Sequence, residues 1–165
     1  MIRKATVRDI PAIGAMAEVV FRQTYRDILS PGQMEYMMDM MYSEESLRKQ
    51  MTRDGHTFFI EEGKGYVSVR EDGTTDDGRK RFHLEKLYVM PHCQGEGLGL
   101  RMFEKVKEYA ASLSQGGFRI ELNVNRNNPA VTFYEHIGMR KDRQGDFPIG
   151  QGYYMNDYIM AIDIK

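Results

Sequence analysis

The chain has 165 residues, 41% of them hydrophobic and 28% charged, which fits one soluble domain large enough to close a core. A net charge of −1 supplies no global field for nucleic acid or an anionic membrane. The single cysteine, Cys93, excludes an internal disulfide and fits a reducing compartment. No apolar run approaches spanning length or resembles a secretion signal, so the expectation is one cytoplasmic domain over residues 1–165.

Taken in order, residues 2–6 read as a short strand, and Thr6 with Asp9 three residues on forms a capping arrangement. Ile10, Ile13, Met16, Ala17, Val20 and Phe21 then recur at helical spacing. Ser30 and Pro31 supply an N-cap and a first helical residue for a methionine-rich helix carrying Met34, Met37, Met38, Met40 and Met41. These methionines suit an adaptable core stripe, and part of them suits a deformable wall at a substrate mouth. Ser43, Glu44 and Glu45 open a further helical stretch to about Arg53. Residues 57–60 and 66–69 form a hairpin around Gly63-Lys64, and a longer strand runs over 81–90. A helix over 98–113 stops at Gly116-Gly117, Phe118, Ile120, Leu122 and Val124 alternate as a strand, and residues 127–136 form a short helix ended by Gly138. Strands over 139–143 and 153–164 close the chain. The order β-α-α-β-β-β-α-β-α-β-β predicts an α/β (α+β) domain on a mixed, mostly antiparallel sheet of about seven strands flanked by helices.

The stretch Gln94-Gly95-Glu96-Gly97-Leu98-Gly99 lies between the 81–90 strand and the 98–113 helix. A glycine-rich turn feeding a helix N-terminus is an anion site, best suited to phosphate. No Gly-Lys-Ser/Thr follows it, which excludes a Walker A loop. A dinucleotide fingerprint would need a third glycine where Leu100 stands and an acidic residue ending the next strand, where Glu121 is instead mid-strand.

Three ordered motifs resemble the GCN5-related N-acetyltransferase (GNAT) family. Leu87-Tyr88-Val89-Met90-Pro91 matches its strand, Gln94, Gly97 and Gly99 match its acetyl-CoA loop, and Asn127, Ala130, Phe133, Tyr134, Glu135 and Gly138 match its downstream motif. The resemblance covers essentially the whole chain and implies a GNAT fold with acetyl-CoA as co-substrate and no metal. Backbone from Gln94 through Gly95, Glu96, Gly97, Leu98 and Gly99 to Leu100 would hold the CoA pyrophosphate. Leu87, Tyr88 and Val89 would pair with the pantetheine, and Asn127 would contact it or nearby backbone. Tyr134 matches the residue that protonates the leaving thiolate. Cys93 is incidental to a direct transfer.

Transfer to an amine needs the neutral nucleophile, and an alkylamine of pKa about 10.4 is neutral only about once in 2,500 at pH 7, a cost of roughly 4.6 kcal/mol. A base must take that proton, or desolvation must lower the amine's pKa. The resemblance places the base, or a residue ordering a relay water, in the strand before the loop, where His83 and Glu85 stand; flanking Leu84, they share one face by strand alternation. His83 has the better intrinsic pKa and Glu85 a standing negative charge; Glu85 is narrowly preferred. A backbone N–H of Val89 or Tyr88 would stabilise the developing oxyanion.

The pattern Phe21-x-x-Thr24-Tyr25, the methionine-rich helix and the ending Gly152-Tyr153-Tyr154-Met155-x-Asp157-Tyr158 look similar to bacterial spermidine/spermine acetyltransferases. That implies a small polyamine acceptor, met by carboxylates and aromatics among Tyr25, Glu35, Asp146, Tyr154 and Asp157. A protein or peptide amine, and a non-catalytic acyl-CoA-binding module, stay open as alternatives. No nucleic-acid or membrane partner is expected; a homodimer through the C-terminal strands is a family-level expectation.

Overall fold

The computed structural model describes residues 1–165. Seven strands form one sheet in the order β1-β2-β3-β4-β5-β7-β6. They are β1 (Arg3–Lys4), β2 (Thr57–Glu61), β3 (Gly65–Thr74), β4 (Lys80–Val89), β5 (Phe118–Asn125), β6 (Arg140–Gly150) and β7 (Tyr153–Ile164). Every pairing is antiparallel except β4 with β5. The helices are α1 (Ile10–Tyr25), α2 (Pro31–Tyr42), α3 (Glu44–Thr52), α4 (Leu98–Leu113) and α5 (Ala130–His136).

Three helices separate β1 from β2, matching the three helical stretches read from the sequence and one more than the expected order β-α-α-β counts. Ser43 adopts an extended conformation between α2 and α3, and its hydroxyl accepts from the Ser46 N–H, ending one helix and capping the next. The Ser30 cap and the Thr6/Asp9 capping box form as the sequence suggests. Strand β3 runs past the expected residue 69 to Thr74, and two further boundaries differ. The helix expected from residue 127 begins at Ala130, because Asn125 and Asn128 side chains tie residues 125–130 into turns by accepting from the Asn127 and Ala130 N–H groups. Strand β6 runs seven residues further than expected, to Gly150, because it continues pairing with β7 beyond the core as a largely exposed ribbon.

The sheet separates two cores. On one face α4 and α5 bury Phe82, Leu84, Phe103, Val106 and Ile120; on the other α1–α3 bury Phe21, Met34, Met38, Phe58 and Tyr66. Strands β4 and β5 pair only from Lys80–His83 with Phe118–Glu121 and then part. Beyond His83 the two strands open as a V, and this split makes room for the site.

An ion cluster stands at the closed end of the V. Arg119 donates to Glu121 at 2.7 Å and to Asp163 at 3.2 Å, and Asp163 also accepts from Arg79 and Arg140, each at 2.9 Å. Burial would raise the Asp163 carboxyl, but these three guanidinium donors outweigh it and hold it down at about 2. A depressed folded-state pKa gives stability that is present above the ordinary aspartate range and lost as pH falls towards 2. Asp163→Asn is therefore expected to lower stability by about 2 kcal/mol at neutral pH and to flatten the acid limb of the stability curve between about pH 4 and 2. Urea unfolding across that range tests this, and an unchanged acid limb would remove Asp163 from the account.

Candidate active site

A cavity of about 740 Å³ fills the V. Its walls are β4 from Leu84 to Val89, the Cys93–Leu100 turn, β5 from Leu122 to Asn125, the start of α5, and a roof of α1 and α2 side chains including Phe21, Tyr25, Met37, Met41 and Tyr42. Met37 and Met41 thus line it, while Met34 and Met38 are core.

The loop reaches the cavity as an uncapped helix end. Gly95 and Gly97 take left-handed φ values of 85° and 78°, which a side chain would oppose, and Gly97 is the N-cap of α4 with no side chain satisfying the first N–H groups. A Cβ on Gly99 would lie 3.1 Å from the Phe133 ring, so its absence lets α4 pack closely on α5. Unpaired N–H groups at the positive end of a 16-residue helix, opening on a cavity, fit an anionic phosphate group. Gln94 Nε2 donates to the Val89 carbonyl at 3.3 Å, tying the loop to the free edge of β4.

Strand alternation breaks at Glu85. Ser68 pairs with Lys86 but Val69 with Leu84, leaving Glu85 as the extra residue of a β-bulge. Phe82 and Leu84 therefore share the α4-side core with Leu87 and Val89, while Tyr88 packs in the opposite core. Both Glu85 and Lys86 line the cavity.

Of the expected site residues, Glu85, Leu87, Tyr88, Val89, Gln94, Gly95, Gly97, Leu98, Gly99, Leu100, Tyr134, Tyr25 and Asp157 line this cavity. His83, Glu96, Asn127, Glu35 and Tyr154 do not. His83 sits on the last paired rung of β4, opposite Glu121. Glu96 contributes its carbonyl to Arg101 at 3.0 Å. Asn127 is held in the turn, and Asn128 takes the cavity wall, donating to the Tyr25 hydroxyl at 3.0 Å. Glu35 faces outward and pairs with Arg22; Asp146 pairs with Arg126 at 2.7 Å. Tyr154 is 51% exposed, beside a separate small depression.

The ionisable groups are unequally tuned. Burial pushes the Glu85 carboxyl up, but the nearby charges of His83, Lys86 and Arg70 outweigh it, and Arg70 Nε donates to it at 2.5 Å, so it stays ionised. Burial lowers His83 and Lys86 and raises Asp157, whose Oδ2 accepts from Asn123 at 3.2 Å. Burial raises Tyr25 to about 12 and pushes the Tyr134 hydroxyl well above its usual range, so both keep their protons at neutral pH. Lys86, Tyr42, Asn123 and Asn128 were not anticipated. The signal for Lys86 was present: apolar residues at 82, 84, 87 and 89 skip a beat, as a bulge requires.

Known proteins share this fold. An N-acetyltransferase of Thermoplasma acidophilum, PaiA, solved with coenzyme A, superposes with a TM-score of 0.71 at 17% identity, over 98% of this chain and 96% of that one. A GCN5-related N-acetyltransferase of Rhodopseudomonas palustris superposes with a TM-score of 0.78 at 17% identity, over 99% and 95%. In sequence, a Mycobacterium tuberculosis protein named as a probable N-acetyltransferase is 29% identical over 81% of this chain and 76% of its own. A mouse thialysine N-epsilon-acetyltransferase is 34% identical over 36% of this chain and 34% of its own. No helix is long and apolar enough to cross a membrane. The acetyltransferase (GNAT) domain model matches residues 25–147, and with the uncapped helix end, the split strands and the shared fold, it makes this chain a member of the GNAT family of N-acetyltransferases.

Proposed function

We propose that this chain transfers an acetyl group from acetyl-CoA directly to the primary amine of a small molecule. One observation carries the reading: a single cavity joins the uncapped α4 N-terminus, the free edge of β4 and Tyr134 to an aromatic and methionine roof over Glu85 and Asp157. Its volume is that of a small-molecule pocket, with the roof limiting what can approach from the α1–α2 side.

Acetyl-CoA would supply the activated acetyl thioester. The N–H groups of Gly95 to Leu100 would hold its pyrophosphate, and Leu87 to Val89 would offer backbone to the pantetheine as an added strand would. Glu85, ionised and facing the cavity, is the better candidate of the two for the amine's proton. Its pairing with Arg70 makes it a weak base, which favours taking that proton through an ordered water. His83 lies outside the cavity, and burial lowers its imidazole so that it is neutral at neutral pH, which leaves it no direct part in taking the amine's proton. Tyr134 would donate its proton towards the departing sulfur.

A polyamine acceptor is the finer reading that the sequence resemblance suggests. Against it, of Glu35, Asp146 and Asp157, the carboxylates named for a polycation, only Asp157 reaches the cavity, and Glu85, which also lines it, already has a cationic partner. Thiol release from acetyl-CoA, measured across polyamines, amino acids and peptides, tests the class. Turnover of free small amines and none of peptides is expected; the reverse pattern would replace this reading with a peptide acetyltransferase. Raised melting temperature with acetyl-CoA but no thiol release would leave a binding module. In the same assay Glu85→Gln is expected to lower kcat by about 10²-fold, and unchanged turnover and pH profile would remove Glu85 as proton acceptor.

A further inference from the structure

The bulge at Glu85 has turned a lysine into the reaction cavity. With regular alternation Lys86 would point into the α4-side core among Phe82, Leu84 and Val106; with the bulge it joins Tyr42 and Tyr88 on the opposite side, where α1 and α2 roof the acceptor arm. Its Nζ lies 6.0 Å from the centre of the Tyr42 ring. The ammonium enters none of the chain's ion pairs or side-chain hydrogen bonds, although most of its neighbours are already satisfied. Glu85 is taken by Arg70 at 2.5 Å, Asp157 by Asn123 at 3.2 Å, and the Tyr42 and Tyr88 hydroxyls by one another. Beside Lys86 in register, fully buried Ser68 has a hydroxyl with no partner at all. Buried polar groups are ordinarily paired, so an ammonium that lines the cavity and enters no ion pair or hydrogen bond is capacity for a ligand.

The charges in this arm are arranged as a dipole. Lys86 stands on β4 and Asp157 across the V on β7, and both line the same cavity. A polycation would bring a second ammonium to a cation that forms no direct ion pair, and that Glu85 and Asp157 influence only at longer range. A molecule carrying both an ammonium and a carboxylate would satisfy both ends. We infer that Lys86 binds a carboxylate of the acceptor, and that the acceptor is an amine of the amino-acid class rather than a polyamine. This rests on the small-amine reading above and narrows it. Charge-assisted hydrogen bonds from an ammonium to a carboxylate in a partly desolvated cavity also discriminate strongly, because an acceptor lacking the carboxylate leaves the buried cation unpaired.

The test compares acceptors that differ by the carboxylate alone. Lysine and thialysine are assayed beside cadaverine, the decarboxylated counterpart of lysine, and spermidine, all with acetyl-CoA and wild-type enzyme, then with Lys86→Gln and Lys86→Arg. Wild type is expected to favour lysine or thialysine over cadaverine. Lys86→Gln is expected to lose at least about tenfold in kcat/KM for the carboxylate acceptors, mainly through KM, with cadaverine unchanged or improved. Lys86→Arg, which keeps the charge, is expected to keep the preference. Equal losses on both acceptors, carried in kcat, would make Lys86 part of the proton chemistry and overturn carboxylate recognition. A wild-type preference for cadaverine or spermidine would overturn it too while leaving the small-amine function standing. Turnover of peptides alone would overturn both. Should Lys86→Gln fold poorly, with a lowered melting temperature, the wild-type preference and Lys86→Arg still decide.

Discussion

Tyr134→Phe is expected to lower kcat by about 10²-fold while leaving the rise in melting temperature caused by acetyl-CoA nearly intact. The ring is 7% exposed and packs on Phe133 with centroids 5.4 Å apart, so phenylalanine preserves the wall of the cavity and removes only the hydroxyl. Proton donation in a transition state contributes about 10²- to 10⁴-fold. The lower figure applies here for a physical reason. A thiol has a pKa of about 8.5, and burial has pushed the Tyr134 hydroxyl well above that of an ordinary phenol, so full transfer to sulfur runs uphill. The hydroxyl therefore contributes most as a hydrogen bond that strengthens while charge builds on the sulfur. The same shift means the tyrosine does not titrate below pH 10, so any alkaline limb in the pH profile of wild type belongs to another group. Single-turnover rates with saturating acetyl-CoA separate this step from product release, and an undiminished rate in Tyr134→Phe would remove the residue as general acid.

The split between what the sequence disclosed and what it hid follows the physics of each signal. The phosphate loop was legible because glycines at positive φ before an amphipathic helix have few other uses, and Gly95 and Gly97 adopt that geometry. The fold was legible because its elements are punctuated by local chemistry such as the Ser30 and Ser43 caps. The site's polar wall was not. Alternation assigns Glu85 and Lys86 to opposite faces, and only the pairing of β3 with β4, a contact between distant residues, reveals that both turn inward. The same limit explains Glu35: nothing local says that Arg22, thirteen residues away, will hold it outside the cavity. Asn127 and Asn128 are adjacent and chemically identical, and only the turn around Asn125 decides which of them faces Tyr25.

The geometry of the V also depends on its closed end, and Arg119 is where that dependence is expected to be largest. His83–Glu121 is the last paired rung of β4 and β5, and Arg119 lies two residues before Glu121 on the same strand face. Its side chain is 13% exposed and bridges Glu121 and Asp163, with Asp142 also 3.2 Å away. Replacing one member of a buried ion network strands the others, at a cost of about 3–5 kcal/mol. Arg119→Met should fall near the lower value, because Arg143 still reaches Glu121 at 3.3 Å and Arg79 and Arg140 still hold Asp163. That corresponds to a fall in melting temperature of roughly 6–12 °C for a chain of this size. The double variant Arg119→Met, Glu121→Leu separates charge from packing. If the single variant is costly because Glu121, 5% exposed, keeps its charge without its main partner, removing both should recover part of the loss. Additive or greater loss in the double variant would mean that the arginine stem, and not its charge, holds β5 in place. In either case acetyl-CoA affinity is expected to weaken with stability, since the edge of β4 that faces the cavity is free only because pairing stops at Glu121, a member of this cluster. Urea titrations with and without acetyl-CoA measure both quantities, and a melting temperature within 2 °C of wild type in Arg119→Met would show that the cluster does not hold the V.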